Sequence, residues 1–176
     1  PTTYNLIPRE PEKSESGNSQ KITNEVTKMG LFEQGKTTIQ ATDIKLEPAE
    51  AFAAIALIAV AVDDFITESE KQGISNILSR MELFSNYSEE RKKEMLDRLL
   101  GIIKKQEIKP LFDAAVAQLP KYLRETVFAV STDLVLVDGY LAEEEERLLN
   151  KLYNALEISE VVATNIIDVI IIKNKG

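Results

Sequence analysis

Val62-Asp63-Asp64-Phe65-Ile66-Thr67-Glu68-Ser69-Glu70 recurs 75 residues later as Val137-Asp138-Gly139-Tyr140-Leu141-Ala142-Glu143-Glu144-Glu145. Downstream the register holds. Ile74 aligns with Leu149, Ile77 with Leu152, Met81 with Leu156, Leu83 with Ile158, and Glu82 with Glu157. Each copy follows a long apolar stretch and leads into a helical pattern. The chain therefore reads as two pseudo-symmetric helix–turn–helix repeats, each setting an aspartate and a glutamate seven residues apart around its turn.

Working outward from the repeats, the chain reads as all-α, a bundle of about seven helices. Pro48 suits the first turn of a helix over 49–62 that is apolar on every face, which marks it as central and buried. Thr67 opens the second helix with Glu70 at capping-box spacing, and that helix is expected to end near Leu83 or Phe84. Ser88 caps a third, to about Gln106, with Glu89/Lys93 and Glu94/Arg98 pairs on its surface. Pro110 and Pro120 are expected to open the fourth helix, over 111–119, and the fifth, over 121–137. The sixth covers 142–156, and Ser159 caps the seventh over 160–172. The helical domain is taken as 46–176. Residues 1–45 hold Pro8, Pro11 and many polar residues, and read as a disordered or loosely packed tail. Docking of that tail through Met29, Leu31 and Phe32 is the alternative.

Composition limits the chemistry. The 176 residues include no cysteine, histidine or tryptophan. A disulfide, a thiol nucleophile, a Ser-His-Asp triad and histidine or cysteine metal ligands are all excluded. A bound metal must be held by oxygen, which selects a hard divalent cation such as Ca²⁺, Mg²⁺ or Mn²⁺. The formal charge of −8 argues against nucleic acid as a partner. The apolar run over 51–62 is too short for a transmembrane segment. No secretory signal is read, so the expected setting is cytoplasmic.

Two readings of the acidic turns stand side by side. Glu68, Glu70 and Glu143 to Glu146 fall in first helical turns, where the helix dipole favours carboxylates. Asp63 and Asp138 end the preceding helices, where the dipole disfavours them. They either bond backbone N–H groups across the turn, as Asx residues do, or share a cation with the glutamate seven residues on. On spacing alone turn chemistry is the stronger. The spacing is too short for an EF-hand. Asp133 interrupts an apolar helix and either faces solvent or needs a buried partner.

The two acidic turns, Ala59-Val60-Ala61-Val62-Asp63-Asp64-Phe65-Ile66-Thr67-Glu68-Ser69-Glu70 and Leu136-Val137-Asp138-Gly139-Tyr140-Leu141-Ala142-Glu143-Glu144-Glu145, resemble those of the tellurite-resistance TerB family. The resemblance spans roughly 46–172. It implies a non-enzymatic, metal-binding stress-response protein of two pseudo-symmetric helical halves. It further implies protein partners in a stress-response complex at a membrane; self-association as a homodimer is also open. Carried over from the family, Asp63, Glu70, Asp138 and Glu145 are metal ligands, with Asp64, Glu68, Glu143 and Glu144 as neighbours. Asp64 departs from the family's glycine, so the second turn, with Gly139, is the closer match. A helical interaction scaffold whose acidic turns are only caps is the other reading.

Overall fold

The structure, a computed structural model, describes residues 43–61, 66–105, 108–137 and 141–175. Asp63, Asp64 and Asp138 lie outside these residues, as do Gln106 and nearly all of the expected tail over 1–45. Seven α-helices make up the fold, and no strand occurs among the described residues. They are α1 Pro48–Val60, α2 Glu68–Ser79, α3 Glu89–Lys104, α4 Ile108–Gln118, α5 Arg124–Val135, α6 Glu143–Ala155 and α7 Glu160–Asn174.

The apolar character of α1 sets the architecture. Every residue from Ala51 to Ala59 is buried, and the six alanines at 49, 51, 53, 54, 56 and 59 let neighbouring helices approach closely. Helices α4 and α5 pack most extensively on α1, with α3 and α2 completing its surroundings, while α7 lies on α5. Ile44 and Leu46 are buried ahead of α1. Gln118 of α4 secures that entry: its amide nitrogen donates to the Ile44 carbonyl (2.8 Å) and its amide oxygen accepts from the Leu46 N–H (2.9 Å). Phe84 packs edge-on to Phe52, with ring centres 6.1 Å apart, and to Tyr87 at 5.6 Å. Tyr87 donates to Glu47 (2.9 Å), Arg91 also reaches Glu47 (3.2 Å), and Arg91 stacks over the Tyr87 ring. This cluster ties the start of α3 to the start of α1.

Several boundaries differ from the sequence reading, each for a physical reason. Helix α2 stops at Ser79. Met81 is extended, and a 3₁₀ turn over Glu82–Phe84 then carries Phe84 into the core. Helix α4 starts at Ile108, not after Pro110. Pro110 sits in the first turn, where its missing N–H has no intrahelical acceptor to lose. Pro120 precedes a 3₁₀ turn over Lys121–Leu123, and α5 proper starts at Arg124 and stops at Val135. Helix α7 runs two residues past Ile172. The expected surface pairs on α3 are replaced: Glu89 pairs with Lys92, whose side chain is buried, and Arg98 crosses to Glu50 of α1. The tertiary partner wins because Glu50 is fixed in the first turn of α1.

Candidate functional site

The two acidic helix starts have the same backbone design. Thr67 ahead of α2 has φ −71° and ψ 159°; Ala142 ahead of α6 has φ −71° and ψ 158°. At α2 the cap is reciprocal. The Glu70 N–H donates to the Thr67 hydroxyl (3.2 Å), and Glu70 Oε2 accepts from the Thr67 N–H (2.7 Å) and from its hydroxyl (2.7 Å). At α6, Glu145 Oε2 accepts from the Ala142 N–H (2.8 Å), but Ala142 has no oxygen with which to answer. Bonds from the Thr67 backbone and hydroxyl hold the Glu70 carboxyl below its ordinary pKa, against a slight opposing effect of burial.

The remaining candidate residues are dispersed. Glu68 and Glu144 are exposed, and Glu143 pairs with Arg147 one turn on. Among the described residues no three acidic side chains converge closely enough to hold a metal ion. Glu70 and Glu145 are hard oxygen donors, yet each already accepts from a backbone N–H, so alone they make a partial donor set. A cation would need further oxygens from Asp63, Asp64 or Asp138.

Glu70 borders an open groove of about 440 Å³. Helix α2 contributes Ser69, Glu70, Gly73, Ile74 and Ile77 to it. Val60 at the end of α1 and Val137 after the end of α5 also line it, so the helix ends that lead into both acidic turns open on one groove. Asp133 and Leu134 complete the α5 contribution, and Lys173 and Asn174 supply that of α7. Asp133 is neither free in solvent nor buried without a partner. Its carboxylate accepts from Lys173 Nζ at 2.7 and 2.9 Å and from the Asn174 amide at 3.2 Å. Asn174 also donates to the Leu136 carbonyl (2.8 Å), which closes the C-terminal end of α5. Lys173 and Asn174 escaped the sequence reading, which ended α7 at Ile172. The usable signal was the pair of lysines, Lys173 and Lys175, that ends an apolar helix, where the dipole favours a cation.

No helix among the described residues is long and apolar enough to cross a membrane. No protein family, curated protein or solved structure matches the chain.

Proposed function

We propose that this is a non-enzymatic, cation-responsive module of a stress response, similar in kind to TerB, in which a hard divalent cation braces the acidic helix turns. The observation that carries the reading is the duplicated design of the turns. Helix α2 starts at Glu68 and α6 at Glu143, 75 residues on; α1 ends at Val60 and α5 at Val135, again 75 residues on. Matching spans, matching cap angles and the repeated sequence support a pseudo-symmetric pair of helix–turn–helix units. In each, an aspartate three positions beyond the last residue of one helix, Asp63 or Asp138, precedes a glutamate that caps the next, Glu70 or Glu145. A cation shared between them couples occupancy to the angle between two helices. Val60 and Val137 border the same groove, so a change at either turn alters the surface offered to a protein partner. The expected setting is the cytoplasm, with partners in a membrane-associated complex.

The competing reading is a helical scaffold. It is favoured by the backbone bonds that Glu70 and Glu145 already make, which account for both glutamates without any cation. Calorimetric titration of chelator-treated protein with Ca²⁺, Mg²⁺ and Mn²⁺ separates the two. The proposal expects saturable heat in the native chain, weakened in Asp138→Asn and in Asp63→Asn. No heat with any of the three ions leaves the scaffold.

A further inference from the structure

We infer that the outer face of α7 is a self-complementary surface that pairs antiparallel with α7 of a second copy of this chain. Helix α7 buries Ala163, Ile167 and Ile171 on its inner side against α5. Its outer side carries three open apolar side chains: Val161 is 70% exposed, Val169 61% and Ile172 70%. Among the described residues these are three of the five large hydrophobic side chains left so open to solvent. Three exposed β-branched residues fall on the outer half of one 15-residue helix, with polar residues between them. Along one stripe of that half run Val161, Asn165, Asp168, Ile172 and Lys175, at spacings of three and four, with Val169 on one flank.

The order of residues along the stripe points to a second copy as the occupant. In an antiparallel pair with its two-fold axis between Ile166 and Ile167, Val161 faces Ile172 of the other copy at both ends. Asn165 faces Asp168 at both central positions, so the only polar pair on the stripe is an amide donor against a carboxylate acceptor. On one flank Glu160, at the start of the helix, comes beside Lys175 at the far end of the other. On the opposite flank Val169 comes between Val162 and Ile166. Among the described residues neither Glu160 nor Lys175 makes an ion pair, whereas Lys173, turned away from the stripe, is held by Asp133. An isologous interface requires this kind of self-matching pattern. A lipid surface fits less well, because Asn165 and Asp168 lie mid-stripe and the stripe carries no row of basic residues. One helix pair buries less than the roughly 800 Å² per partner of a standard stable interface, so the expected dissociation constant lies between about 1 μM and 1 mM.

Sedimentation equilibrium of the full chain across that concentration range tests the inference. The expected result is a reversible monomer–dimer equilibrium. Ile172→Asp should weaken it by about tenfold or more, since it removes two buried apolar contacts per dimer. Glu160→Lys alone should weaken it, and Glu160→Lys combined with Lys175→Glu should restore it. The native absence of cysteine allows a register test under mild oxidation. Chains carrying Asn165→Cys mixed with chains carrying Asp168→Cys should form disulfide-linked dimers faster than either variant alone. All of these positions except Asp168 are exposed, and unchanged helical circular dichroism confirms folding of each variant. A chain that stays monomeric throughout overturns the inference. So does a dimer indifferent to Ile172→Asp and to the charge exchange, or a monomer that binds anionic vesicles through Ile172.

Discussion

At the scale of single residues, the caps of the two acidic helix starts differ by one hydroxyl group. Thr67 answers the Glu70 N–H with its hydroxyl, and Ala142 cannot answer the N–H of Glu145. Replacing Ala142 with Thr should therefore complete the second capping box and raise stability by about 0.5–2 kcal/mol, while Thr67→Ala should cost a similar amount. Chemical denaturation of the two variants checks both signs. The same cap sets a pH dependence. Because the bonds from Thr67 lower the folded-state pKa of Glu70, the unfolded chain takes up its proton first as the solution is acidified. The stabilisation is complete above the ordinary glutamate value of about 4.3 and fades as the pH falls toward the lower folded value. In Thr67→Ala the Glu70 carboxyl, followed by NMR, should titrate closer to its ordinary value. Glu157 presents a different residue-scale feature. It ends α6 in the left-handed region, with φ 55°. The Ile158 N–H bonds to the Tyr153 carbonyl (3.0 Å) and the Glu157 N–H to that of Asn154 (3.1 Å), the paired bonds of a Schellman cap. An alanine here keeps the left-handed cost and loses the ion pair with Arg124. Glu157→Gly should therefore be more stable than Glu157→Ala by about 1 kcal/mol, read as the difference between their denaturation midpoints.

At the scale of elements, helix propensity is not optimised at the groove. Gly73 lies within α2, and a Cβ placed there meets no atom within 4 Å. Gly73→Ala should stabilise the protein by about 0.5–1 kcal/mol, as should Gly101→Ala in α3, where the same open space exists. A loss of stability on thermal melting of either variant would show that the flexibility of glycine matters there. Helix existence was legible because the punctuation is strong: Thr67, Ser88 and Ser159 all act as N-caps through their hydroxyls, as their positions imply. Boundaries set by tertiary packing were not legible. Nothing local in the sequence says that the chain breaks at Met81 so that Phe84 can enter the core, or that Arg98 reaches Glu50 in preference to Glu94. At the site, the capping role of Glu70 followed from its spacing to Thr67; the matching bond from the Ala142 N–H to Glu145 did not, because alanine is no side-chain cap. The clasp of Lys173 and Asn174 on Asp133 did not, because it joins residues 40 and 41 positions apart.

At the scale of the whole molecule, the described residues form one buried helix, α1, surrounded by α2, α3, α4 and α5, with α6 and α7 packed on α5. Val60 and Val137, which flank the two aspartate-bearing turns, border one groove, so the ligation proposed above would act on the same surface from either turn. A net charge of −8 adds a long-range field that draws in cations. If a cation bound only to the folded chain sits in these turns, linkage makes folding stability depend on its concentration. At 100 times its dissociation constant the gain is about 2.7 kcal/mol. The most direct measurement is the thermal melting temperature of the native chain and of Asp138→Asn, each with saturating Ca²⁺, Mg²⁺ or Mn²⁺ and with chelator. Asparagine keeps the size and turn propensity of aspartate and removes only its charge. A cation shared by the turns should give the native chain a higher melting temperature with at least one metal, with most of that difference lost in the variant. Identical melting with metal and chelator in the native chain would contradict it and leave the acidic turns as helix caps.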